Sequence, residues 1–131
     1  MKNNIILTLC IFLSLVLAGC EKSPSSSLTP SEVVKAYCAA IDGGYLEKAN
    51  SLCVTGFTND GYNNIQVIEI VKSVWSKGAF LVKSIKHEEI HGDIATIALF
   101  HRGDPDDSET YAETKFYLVK ENGAWKVRKF E

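Results

Sequence analysis

The chain has 131 residues, with 14 basic and 16 acidic side chains, a formal charge of −2, and 46% hydrophobic residues. That length fits one domain. The mild acidity argues against a nucleic-acid partner, which would want a clustered basic face, and against electrostatic attraction to anionic lipid.

The chain opens Met1-Lys2-Asn3-Asn4, runs through IILTLCIFLSLVL (Ile5 to Leu17), and closes on the small pair Ala18-Gly19. A basic start, an apolar core and a small-residue break are the parts of a secretory signal. The core falls short of the roughly 20 apolar residues a spanning helix needs. Leu17-Ala18-Gly19-Cys20 resembles the bacterial lipobox. The resemblance implies cleavage before Cys20, a diacylglycerol on its thiol and acylation, such as with palmitate, of its new amine. Residues 1–19 would then be the signal, and Cys20 the anchor, since two or three acyl chains hold a protein stably where one does not. Glu21, not Asp, follows the cysteine. By resemblance to enterobacterial sorting, this implies delivery to the outer membrane, facing the periplasm, in a diderm host. The rest of segment 20–28, EKSPSSSL, is Ser-rich without apolar periodicity and reads as a flexible tether.

The folded part, 29–131, starts at Thr29-Pro30-Ser31-Glu32. A capping Thr, a Pro at the first helical position and a Glu three residues on predict a helix start. Val33, Val34, Tyr37, Cys38 and Ile41 share its apolar face to about Asp42, and Gly43-Gly44 stops it. A second helix is expected from Tyr45 to Cys53, and the turn-rich TGFTNDGYNN follows. Ile65 to Lys77 is rich in β-branched residues, yet Ile68, Val71, Val74 and Trp75 recur at helical period. A third helix, ended by Gly78, is expected there.

Strands follow: Phe80 to Ile90, a turn at His91-Gly92-Asp93, Ile94 to Phe100, a Pro105-centred turn, and Glu109 to Lys120. Asn122-Gly123 is a strong hairpin signal and pairs Ala124 to Phe130 back. That two-residue turn predicts Leu118 opposite Val127 and Lys120 opposite Trp125, with Phe116, Leu118, Trp125 and Val127 on one face. Three helices followed by a four-stranded antiparallel meander is an α+β layout, with the helices covering one face of the sheet.

SEVVKAYCAAIDGGYLEKANSL resembles the opening of nuclear transport factor 2-like domains, where a helical pair with a Gly corner precedes a curved sheet. GDIATIALF and YLVKENGAWKV are similar to the strands of a branch of that superfamily found on bacterial lipoproteins and labelled only as a domain of unknown function. The resemblance implies a cone-shaped domain over Thr29 to Phe130, with relatives that include isomerases, dehydratases and binding modules. It also implies homodimers formed through the sheet.

Cys38 and Cys53 are the pair left once Cys10 departs with the signal and Cys20 is lipidated. In an exported protein a leftover even pair reads as a disulfide. A strictly antiparallel helix pair would set Cys53 about 6 Å beyond the level of Cys38, so a bridge needs crossed or shifted helices. The alternative is two buried thiols. His87 and His91 share a strand face but lie about 13 Å apart, too far for one zinc ion, and the Gly92-Asp93 turn pairs His101 with Ser84. Asp104, Asp106, Asp107 and Glu109 lack the spacing of a calcium loop and read as a solvated turn. No metal site and no cofactor is expected. Tyr37, His87 and Tyr111 are the candidate pocket residues for acid–base chemistry, though no spacing fixes any of them as acid or base. The expected role is therefore an envelope module binding a small ligand or a protein, with an isomerase- or dehydratase-type enzyme as the alternative.

Overall fold

Thr29 Oγ1 accepts from the Glu32 N–H at 3.3 Å, and the Glu32 carboxylate accepts from the Thr29 N–H at 2.8 Å. This reciprocal box, with Pro30 in the first turn, opens α1 (Pro30–Gly43) where the sequence predicts it. The computed structural model describes residues 28–74, 82–102 and 111–131. The signal, Cys20 and most of the tether lie outside the described residues. So do Trp75, the stop at Gly78, Phe80 and the acidic turn with Asp104, Pro105, Asp106, Asp107 and Glu109.

The expected face of α1 is the buried one: Val33, Val34, Tyr37, Cys38 and Ile41 are all fully shielded. α2 (Leu46–Ser51) is shorter than expected. Its last residues leave the helix to bond the sheet instead. The Val54 N–H donates to the Val127 carbonyl at 2.9 Å, and the Val127 N–H donates to the Leu52 carbonyl at 2.8 Å. α3 (Asn64–Val74) begins with a second box, in which Asn63 Oδ1 accepts from the Gln66 N–H while Gln66 Oε1 accepts from the Asn63 N–H. It buries Val67, Ile68 and Val71.

Four antiparallel strands follow in sheet order β1 (Val82–His91), β2 (Ile94–Arg102), β3 (Tyr111–Glu121) and β4 (Ala124–Phe130). At the β3–β4 turn Asn122 and Gly123 both take positive φ, 51° and 78°, as a type I′ turn requires. Leu118 pairs with Val127 and Lys120 with Trp125, as the turn chemistry predicts. A register shift beyond Leu118 then sets Phe130 opposite Phe116.

The β1–β2 register departs from expectation. It holds near the turn, with His91 opposite Ile94, and then shifts twice, between Ile85 and His87 and between Val82 and Ser84. His101 therefore pairs with Val82, not Ser84. Each shift inserts one residue into β1 only, which bends the strand and increases its twist.

The helices lie over one face of this sheet, and the core forms between the layers. Ile97, Leu99, Phe116, Leu118 and Val127 rise from the sheet to meet Val33, Val34, Tyr37 and Ile41 of α1. Each fully buried aliphatic or aromatic side chain there stabilises the fold by about 1.5–3 kcal/mol. Among the described residues, no helix is long and apolar enough to cross a membrane.

Candidate functional site

One end of the layer between helices and sheet stays open. Val67, Ile70 and Val71 of α3 form one wall, the ends of β2 and β3 supply His101, Ala112 and Thr114, and Phe130 with Glu131 closes the side. The turn bearing Asn59, Asp60 and Tyr62 sits at the rim. The half-open pocket they enclose holds about 360 Å³, within the size range of small-molecule sites.

His101 is the buried imidazole of this pocket, 5% exposed. Its Nε2 lies 2.8 Å from Thr114 Oγ1, and its Nδ1 lies 3.2 Å from the Arg102 carbonyl. A carbonyl can only accept, so Nδ1 carries the proton and, in the neutral ring, Nε2 accepts from the Thr114 hydroxyl. Sequence reasoning set His101 aside through the wrong register. The signal was present all the same, since Ala95, Ile97, Leu99 and His101 alternate along one strand and the first three are core residues. Thr114 shares that logic with Phe116 and Leu118. Asn59 had no comparable signal.

The residues proposed from sequence are not brought together. Tyr37 is fully buried, its ring 6.0 Å from both Phe116 and Phe130 and its hydroxyl donating to Asn64 Oδ1 at 2.9 Å. It belongs to the core, and burial pushes its hydroxyl well above the usual tyrosine range. His87 pairs with Ala98, on the sheet face away from the helices, and its side chain is 63% exposed. Tyr111 alternates with Ala112 and Thr114 and so falls on that same outer face. His87 and His91 turn toward the residue between them. Their Nε2 atoms lie 3.7 and 2.6 Å from the Glu89 carboxylate, which the His91 hydrogen bond holds below the usual range. Among the described residues no three His, Cys, Asp or Glu side chains converge as metal ligands would.

Cys38 and Cys53 are separate buried thiols, not the bridge that the leftover pair suggested. The chain leaves α2 before Cys53, and Cys53 pairs with Val127 of the sheet. Cys53 Sγ instead accepts from Asn64 Nδ2 at 3.6 Å, and that amide also donates to Asn50 Oδ1 at 2.9 Å. Burial pushes the Cys53 thiol up to about 12 and raises Cys38 as well. The thiolate is the reactive form. Both thiols should therefore resist a maleimide in the native protein at about pH 8 and label fully in denaturant without reductant, read by peptide mass spectrometry. Failure to label in denaturant until a reductant is added would show a disulfide instead.

No protein-family model matches the chain, and no curated protein matches it. Solved structures do. Bd1075 of Bdellovibrio bacteriovorus is similar at 21% identity and TM-score 0.54, over 77% of this chain and 37% of Bd1075. A candidate ketosteroid isomerase from Shewanella frigidimarina is similar at 18% identity and TM-score 0.53, over 80% of this chain and 94% of that one. A nuclear transport factor 2-like protein of unknown function from Shewanella oneidensis aligns at 12% identity and TM-score 0.52, over 76% and 92%. The fold is nuclear transport factor 2-like. In this chain the sheet's inner face carries both the core and the pocket. Its outer face carries the ion pairs, Lys86 with Glu113 at 2.6 Å among them.

Proposed function

We propose that this protein is a lipoprotein of the bacterial cell envelope, held by lipid on Cys20, whose nuclear transport factor 2-like domain binds a small, mainly apolar ligand. The observation that carries the binding role is the pocket itself. Four apolar side chains, Val67, Ile70, Val71 and Phe130, face a short set of polar groups across about 360 Å³. Small-molecule sites are built that way, with apolar walls supplying affinity and a few polar groups fixing orientation. The lipobox and the Ser-rich tether support the anchoring.

An isomerase- or dehydratase-type enzyme is the second reading, favoured by the buried His101 ring in the pocket wall. Binding has the stronger support. General acid–base chemistry draws on groups whose proton affinity burial has tuned to the task. The two pocket carboxylates, Asp60 and Glu131, are instead exposed, and the Tyr117 hydroxyl, donating at 2.6 Å, holds Glu131 below the usual range.

Ala112→Phe tests the reading, because it fills the pocket from a partly exposed position on β3. In a ligand-observed NMR screen of apolar fragments, the wild-type protein should bind a set that compete for one site. Ala112→Phe should lose them by tenfold or more, on the order of 1.4 kcal/mol, while unfolding at a similar temperature. Equal binding by both proteins would remove the pocket from the function. Turnover of a carbonyl fragment that His101→Gln abolishes would favour the enzyme.

A further inference from the structure

We propose that Asn59 reads the ligand, selecting an uncharged molecule that presents a hydrogen-bond-accepting oxygen (a ketone, ester or amide) on an apolar body. The proposal rests on the binding reading above. Asn59 begins a two-residue hairpin. Its N–H donates to the Tyr62 carbonyl and its own carbonyl accepts from the Tyr62 N–H, both at 2.9 Å. Asp60 and Gly61 between them take φ of 52° and 83°, the paired positive values of a type I′ turn. The Asn59 main chain is therefore fully used, and only its side chain is left for recognition.

The orientation of that side chain follows from chemistry. The Phe130 N–H donates to it at 2.8 Å, and a backbone N–H can only donate, so the amide oxygen must face Phe130. This puts Nδ2 on the opposite side, where no described residue accepts from it. Asn59 is 9% exposed and lines the pocket, so the open side of its amide is the cavity. The other buried polar pair in the wall, His101 and Thr114, is joined to itself. Asn59 Nδ2 thus keeps its hydrogen-bonding capacity open on the pocket side, where a ligand acceptor can take the place of water.

Charge narrows the class of acceptor. Among the described residues the pocket lining includes two carboxylates, Asp60 and Glu131, and no Lys or Arg, and the Glu131 side chain is held by the Tyr117 hydroxyl at 2.6 Å with Lys129 Nζ 3.8 Å away. A ligand carboxylate or phosphate would find no cation in the lining and would meet the like charge of Asp60. A neutral oxygen meets the Asn59 donor at no such cost, and Val67, Val71 and Phe130 cover its apolar body.

Three probes of one skeleton separate the terms: benzylacetone (a ketone), butylbenzene (no oxygen) and phenylbutyrate (an anion). Titration followed by NMR should place benzylacetone about threefold to tenfold above butylbenzene, the worth of one net hydrogen bond, with phenylbutyrate the weakest. The Asn59 side-chain amide resonances should move with benzylacetone and stay with butylbenzene. Asn59→Asp keeps the acceptor for Phe130 and deletes the donor, so it should bring the ketone to or below the hydrocarbon. If that variant does not fold, the wild-type amide resonances decide. Equal binding of ketone and hydrocarbon with unmoved Asn59 resonances overturns the proposal and leaves the pocket reading intact. Tightest binding by phenylbutyrate overturns it too. If no probe enters the pocket, the binding reading falls and the proposal falls with it.

Discussion

Phe116→Ala is expected to lower the stability of the domain by about 3–5 kcal/mol in denaturant unfolding, the range for a truncated core aromatic. The side chain is fully buried at the middle of β3, with ring centroids 6.0 Å from Tyr37 and 5.2 Å from Phe130. Its removal opens a hole where α1 meets the sheet and forfeits two aromatic contacts, each worth about 0.5–1.5 kcal/mol beyond the area they bury. Domains of this size hold only about 5–15 kcal/mol in total, so a large share of the margin is at stake. Phe130 lines the pocket, so ligand binding should weaken in whatever fraction still folds. Lys115→Ala, one residue away but exposed, should cost within about 0.5 kcal/mol. Near-equal losses in the two variants would mean that Phe116 does not join the layers as described.

Cys20→Ala is expected to abolish membrane retention. The modification implied by the lipobox needs the thiol as nucleophile, so neither Ala nor Ser at this position can take the diacylglycerol. Each buried methylene contributes about 0.8 kcal/mol to membrane affinity, so losing whole acyl chains removes binding altogether and does not merely weaken it. The variant should appear as unprocessed precursor or in the soluble fraction, and its N-terminal peptide should lack the lipid mass. A Cys20→Ala protein that is processed normally and stays with the membranes would end the anchoring proposal. The pocket tests stand apart from this one, since Cys20 lies outside the described domain.

Much of the architecture was legible because it is written locally. Thr29 and Glu32 start a helix within one turn of chain, and Asn122-Gly123 sets a register that carries Leu118 to Val127 without outside help. The misreadings come where distant parts decide. Nothing near Ile85 or Val82 announces that β1 gains two residues against β2, so an ideal count from Gly92-Asp93 moved His101 off its true partner. α2 ends early because Leu52 and Val54 are drawn to Val127, far along the chain. Tyr37 is polar-tipped and looked available for a pocket, but its hydroxyl is taken by Asn64 inside the core. The site escaped for the same reason. Asn59, His101, Thr114 and Phe130 come from four separate segments and share no spacing.

The two register shifts in β1 also bear on how copies of this protein behave toward one another. The sheet has two margins. Along β4, residues 52–54 occupy the outer hydrogen-bonding groups of Val127. Along β1, a ten-residue strand ends the sheet, and among the described residues no strand pairs with its outer side. A long straight margin of that kind is a template on which another chain can add and start an aggregate. The two inserted residues break the even row of donors and acceptors that such addition requires, and the Lys86, His87, Glu88 and Glu89 side chains give it charge and bulk. The irregularity that hid the register of His101 thus also makes this margin of the described sheet a poorer template for strand addition.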